Sequence, residues 1–202
     1  EKDAETFNVL LTTPLTNAQI VLGSLLSRLF FVVVLLISGL PVFCITMLYG
    51  GVTSDQIFMS FGIAACTALL TGALAIFISV VQIGTRTTVF SFYALIGLYL
   101  LAGILGLWPR TYVPESIPQG GNGGMTWLAP FHPVWAQLVA LKSVRPPDAP
   151  MVAGYMWPIN RMLSAPQTAY MVMTFVGSTL IIAFSTIFVR RGIKRLTLIA
   201  PS

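Results

Sequence analysis

Apolar residues in this chain do not alternate with polar ones at a strand or helix period; they run in long blocks delimited by charges. Arg28 and Asp55 bracket 26 uncharged residues, Asp55 and Arg86 bracket 30, Arg86 and Arg110 bracket 23, and Arg161 and Arg190 bracket 28. About 20 apolar residues carry a helix across a hydrocarbon layer roughly 30 Å thick, so each block is long enough to span a membrane. Inside lipid a segment must satisfy its own backbone donors and acceptors, which makes these blocks helices. The alternating runs of about ten residues that mark a transmembrane barrel are absent. The pattern predicts spans near 28–49, 57–82, 87–108 and 167–190, hence an all-α, polytopic bundle of four transmembrane helices.

Between the first two spans stands Tyr49-Gly50-Gly51-Val52-Thr53-Ser54-Asp55, a glycine turn followed by residues suited to cap the next helix, which predicts a tight helical hairpin. The 52 residues of 110–161 hold eight of the thirteen prolines and three of the four tryptophans. Trp127, Trp135, Trp157, Tyr112 and Tyr155 are the amphipathic aromatics expected at headgroup depth. Within this loop 125–142 is apolar but too short and too proline-interrupted to cross, and it is read as a re-entrant or surface-lying helical piece.

The first 16 residues follow a different pattern. Phe7, Leu10 and Leu11 sit at i, i+3 and i+4, one apolar stripe on a short, otherwise polar helix over 3–12. Thr13-Pro14 breaks that helix, because proline lacks an N–H and pushes its predecessor out of the α region. Thr16 and Gln19 then form a capping box, with Leu15 and Ile20 as its hydrophobic staple, so a sharp corner is specified and a new helix starts at Asn17. That helix is expected to run through Gly23 and Arg28 into the first span and to bend near Gly39 and Pro41. The chain divides into 1–27, an amino-terminal amphipathic helix and corner; 28–109, three spans; 110–161, the Pro/Trp-rich loop; and 162–202, the last span and a basic tail.

Composition agrees: of 202 residues, 56% are hydrophobic and 8% charged, and the mean hydropathy is +0.87. The net charge of +5 forms no basic stripe able to track phosphates, so no nucleic-acid partner is expected. Charge bears instead on orientation. With four alternating spans, Arg28, Arg86 and the cluster Arg190, Arg191, Lys194 and Arg195 share one side, which the positive-inside rule makes the cytoplasm. Both ends are then cytoplasmic, the 110–161 loop is extracytoplasmic, and the chain is a multi-pass protein of the cell (inner) membrane.

The residues offer little catalytic chemistry. Cys44 and Cys66 lie in apolar blocks with no metal-ligand spacing to each other or to a histidine. The single His132, in Pro130-Phe131-His132-Pro133, has no acidic, cysteine or second histidine neighbour and is read as a packing residue. Gly120-Gly121-Asn122-Gly123-Gly124 lacks the Lys and Ser/Thr that follow in a phosphate-binding loop. No ionisable Asp, Glu, His, Lys or Arg falls inside a span, which argues against a proton-coupled carrier or a voltage sensor. A catalytic pair for an intramembrane enzyme is likewise missing. Hydroxyls along the spans, among them Thr67, Thr71, Ser79, Ser178, Thr179, Ser185 and Thr186, either line a pathway or bond to carbonyls one turn back. Ala64, Ala68 and Gly72 recur every four residues, a smooth helix face for close packing or a dimer seam.

The residues from Glu1-Lys2-Asp3-Ala4-Glu5-Thr6-Phe7-Asn8-Val9-Leu10-Leu11-Thr12-Thr13-Pro14-Leu15-Thr16 to Ile20-Val21-Leu22-Gly23 resemble the signature of type-2 ABC transporter permeases. The sequence departs from that pattern at Glu5, where the family usually has Gly, at Asn8, where an acid is common, and at Ser24, where Lys is common. The resemblance implies that the amino-terminal helix is the cytoplasmic coupling helix that docks on an ABC ATPase subunit. Glu1, Lys2, Asp3, Glu5, Thr6, Phe7, Leu10, Leu11, Thr13 and Pro14 would form the contact. It further implies that the four spans are the third to sixth of a six-span exporter permease working with a second permease copy in the lipid bilayer. The permease would not be an enzyme itself and would carry no cofactor, ATP and Mg2+ being bound by the partner ATPase. The alternative from a different class is a nonenzymatic membrane scaffold whose extracytoplasmic loop binds a partner.

Overall fold

The computed structural model describes residues 17–81, 84–105, 112–113 and 124–199. The amino-terminal amphipathic helix, its corner and most of the glycine cluster lie outside these residues. Among the described residues the chain is all-helical, with six helices and no strand, and a single isolated bridge joins Tyr112 to Thr126. We number the helices α1 (Asn17–Leu48), α2 (Ser54–Val81), α3 (Thr85–Leu105), α4 (Pro133–Ala140), α5 (Ile159–Ser164) and α6 (Pro166–Ile199). Four contain stretches long and apolar enough to cross a membrane: Leu22–Leu48, Ser54–Val81, Arg86–Leu105 and Pro166–Phe188. They overlap the four blocks read from the sequence, although the first begins six residues before the expected 28 and takes in Arg28.

The ends of these helices follow from their residues. α1 continues unbroken through Pro41. Its successor starts after a turn in which Gly50 takes φ +76°, backbone that a side chain disfavours. Thr53 caps α2: its N–H and its hydroxyl both donate to Gln56 Oε1, at 2.8 and 3.0 Å, the return half of a capping box. The α6 helix runs well past the predicted end of its span, to Ile199.

Residue pairings give the relative directions of α1, α2 and α6. Gly72 faces Leu25, and Phe61 lies against Phe43, so α1 and α2 are antiparallel. Gly62 faces Met171 and Phe77 lies near Phe184, so α2 and α6 run parallel. The α2–α6 contact is the most extensive in the bundle. Buried Leu25 and Ile76, flanked by Leu29, Leu69, Val80 and Ile182, join α1, α2 and α6 at one end. The spans of α1 and α3 bury none of their apolar windows within the chain. Large side chains there, such as Phe30, Phe31, Leu98 and Leu101, are open, as a lipid-facing surface requires.

The described part of the interspan segment is folded. Val113, Met125, Ala129, Trp135, Val139, Val152 and Leu163 form a small buried core of their own, packed by Tyr112, Leu128, Leu138, Val144 and Tyr155. Of the aromatics expected at headgroup depth, Trp135 is buried in this core, whereas Trp157 is 73% exposed. Lys142 ends α4 in the left-handed region (φ 58°), with its N–H donating to Val139 O and that of Ser143 to Leu138 O, a Schellman motif built without glycine.

Candidate functional site

Among the described residues, a partly buried polar cluster that joins several elements lies where the interspan segment meets the spans. Tyr99 on α3 is its hub. The Tyr99 hydroxyl donates to Phe131 O at 2.6 Å, and its backbone carbonyl lies 3.2 Å from His132 Nε2. Four residues on, Gly103 O accepts a 2.9 Å bond from Trp135 Nε1. Behind Tyr99 stands Tyr170 on α6, fully buried, whose hydroxyl pairs with Thr67 of α2 at 2.9 Å. A tyrosine or tryptophan buried among spans needs such a partner for its polar tip.

Gly103 makes the approach possible. A Cβ built there would fall 2.6 Å from His132 Nε2 and 3.1 Å from Nδ1, so the imidazole occupies space that any other residue would fill. Tyr99 lies six residues before Leu105 on α3, about 9 Å along the helix axis at 1.5 Å per residue. The far end of α4 is held elsewhere: Gln56 Nε2, in the first turn of α2, donates to Leu141 O at 3.1 Å. Ala136 and Ala140 pack with Ile63 and Tyr170. The residues before α4 therefore lie beside α3 at Tyr99 and Gly103, and α4 runs from there along α2 to the level of Gln56.

His132 is 1% exposed. A carbonyl only accepts, so the bond to Tyr99 O places the proton on Nε2 and leaves Nδ1 as a bare acceptor. That Nδ1 is buried with no partner. Burial pushes the imidazole below its ordinary proton affinity, and the carbonyls of Tyr99 and Leu100 oppose the shift only in part. His132 is thus buried at a junction between elements. Nothing in its local sequence pointed to Tyr99, Gly103 or Tyr170; the available signal was two tyrosines inside apolar blocks.

The other sequence-predicted residues are dispersed. Glu1, Lys2, Asp3, Glu5, Thr6, Phe7, Leu10, Leu11, Thr13 and Pro14 lie outside the described residues. Ala64, Ala68 and Gly72 share a helix but not an environment: Gly72 packs inside the chain, where a Cβ would stand 3.3 Å from Leu25 Cδ1, whereas Ala64 is exposed. The span hydroxyls bond mainly to their own helices: Thr67 to Ile63 O, Thr71 to Ala68 O, Ser178 to Thr174 O, Thr179 to Phe175 O and Ser185 to Ile181 O. Cys44 and Cys66 are free thiols, and the described residues hold no cluster of three or more His, Cys, Asp or Glu suited to a metal. No protein-family model, curated protein or solved structure matches the chain.

Proposed function

We propose that the chain is the transmembrane part of a type-2 ABC exporter permease, moving a substrate across the cell membrane with energy supplied by separate ATPase subunits. The observation that carries this reading is the amino-terminal segment, acidic and basic residues followed by Leu10-Leu11-Thr12-Thr13-Pro14-Leu15-Thr16, placed directly before a long helix. That helix, α1, runs 32 residues without interruption. A short docked helix joined by a stiff corner to a continuous span is a lever. Closure of two ATPase subunits around ATP and Mg2+ would displace the 3–12 helix, and α1 would carry the displacement as a rigid body.

The packing suits such a transfer. The end of α1 nearest the corner meets α2 and α6 through Leu25 and Leu29, so a shift at Asn17 is felt first at that three-helix contact. The only Asp, Glu, Lys or Arg residues within the candidate spans are Arg28, Asp55 and Arg86, each towards a span end, so no mid-span charge is offered for ion-coupled transport. A second permease copy would complete the pathway, with the exposed apolar faces of α1 and α3 meeting that copy, further spans or lipid.

Co-purification of the chain, in its full reading frame, with candidate ATPase subunits tests the assignment. Leu10→Asp places a charge on the apolar stripe and Pro14→Ala softens the corner. Leu10→Asp is expected to abolish complex formation, and Pro14→Ala to keep the complex but lose ATPase stimulation. A wild-type chain that recruits no ATPase overturns the transporter reading and favours a nonenzymatic scaffold.

A further inference from the structure

We propose that His132 is an acid-released latch: neutral, it fastens the interspan segment to the third span through Tyr99 and Gly103, and protonated, it leaves that slot and lets the segment swing away. The proposal stands apart from what the chain transports, because it concerns only how two of its own elements are held together.

The slot accepts one form of the ring. Neutral His132 has one N–H, on Nε2, which Tyr99 O accepts at 3.2 Å. The imidazolium has two N–H groups, and the second, on Nδ1, would be buried against no acceptor. His132 is also the N-cap of α4, where backbone N–H groups and the helix dipole already present positive charge, so a cation there is doubly disfavoured.

No charged neighbour compensates. From α3 the ring meets Tyr99, Leu100 and Gly103, and the carbonyls of Tyr99 and Leu100 offset the burial only in part; behind Tyr99 are Tyr170 of α6 and Thr67 and Cys66 of α2; its own segment supplies Phe131 and Trp135. None of these is charged at neutral pH. The charged residues described at this end of the bundle, Asp55, Lys142, Arg145, Asp148 and Arg161, are all exposed, and Arg145 faces Asp148 at 3.7 Å. The site thus resists the proton by desolvation, which lowers the imidazole's affinity for it.

The direction of the pH dependence follows. A released His132 titrates near the ordinary value of about 6.5, the latched one below it. Above about 6.5 both states are neutral and the latch is at full strength. As pH falls below that value the released state binds the proton first, and the latch equilibrium weakens by up to about tenfold per pH unit until the latched ring titrates too. Release would carry away the Trp135–Gly103 and Tyr99–Phe131 bonds with the ring. The Gln56–Leu141 bond at the other end of α4 contains no titratable group and would remain as the pivot.

The chain has a single histidine, so one labelled residue reports on the latch alone. The test uses the full chain in lipid nanodiscs, purified without a histidine tag and labelled with 15N-histidine, with its ring nitrogen shifts followed from pH 8 to 4.5. Hydrogen exchange of peptides covering 133–140 is measured in parallel, corrected for intrinsic rates and referenced to α2. The expected result is a neutral Nε2–H ring at pH 7, protonation with a midpoint below 6.5, and a loss of 133–140 protection of tenfold or more over the same window. His132→Gln, which cannot titrate there, is expected to abolish the pH dependence. Titration at or above 6.5, protection unchanged through the ring's titration or down to pH 4.5, or the same acid response in His132→Gln overturns the latch. Should His132→Gln fail to fold, coincidence or separation of the wild-type ring and exchange midpoints still decides.

Discussion

Replacing Gly103 with alanine probes the junction at its tightest point. The new Cβ would sit 2.6 Å from His132 Nε2 and within 3.1 Å of Nδ1, a contact with a rigid ring that cannot bend away as a chain end does. His132 must leave, taking its 3.2 Å bond to Tyr99 O, and the following turn must shift, which strains the 2.9 Å bond from Trp135 to Gly103 O. Each bond contributes about 0.5–1.5 kcal/mol, towards the lower end among membrane helices. Overpacking a well-filled site adds about 1–3 kcal/mol, against which alanine regains up to about 1 kcal/mol of helix preference. The net expectation is a loss of about 2–3 kcal/mol. Gly97, on the same helix with no atom within 4 Å of its would-be Cβ, is the control: Gly97→Ala is expected to be neutral or stabilising. Reversible unfolding by SDS titration in mixed micelles measures both. Adding His132→Ala to Gly103→Ala removes the clashing ring, so the two losses are expected to be far from additive. Equal stability of the two alanine variants, or additive losses in the double variant, would refute the geometry.

Two further substitutions read separate parts of the fold. Tyr170→Phe keeps the buried ring but removes the hydroxyl paired with Thr67, and a loss of about 1 kcal/mol is expected in the same titration. Lys142→Gly relieves left-handed backbone at the end of α4, where a side chain costs roughly 1–2 kcal/mol; it is expected to slow hydrogen exchange in 133–140 rather than speed it.

Much of the bundle was legible in the sequence, because the signal for a span is local. A block of uncharged residues must close its hydrogen bonds within itself, so length and charge alone placed 57–82 within a few residues of Ser54–Val81 and 167–190 at the start of Pro166–Ile199. The turn at 49–55 was equally local, since Gly50 and Thr53 act on their immediate neighbours. The expected restart at Asn17 falls at the edge of the described residues, and the corner before it lies outside them.

The junction was not legible, and the reason is physical. In a soluble helix one apolar stripe marks the buried face, but a span is apolar on every side, so periodicity does not say which residues meet. Trp135 and Trp157 look alike in the sequence, yet one is buried against α3 and the other is open. His132 lacks neighbours in the chain and finds Tyr99 33 residues away; Thr67 and Tyr170 pair across 103. The sequence by itself determined that four helices are long and apolar enough to cross a membrane, because that requirement is met segment by segment. Only the tertiary structure decided which polar groups share the interior, because a buried donor is satisfied by whatever acceptor the packing brings within about 3 Å, however distant in the chain.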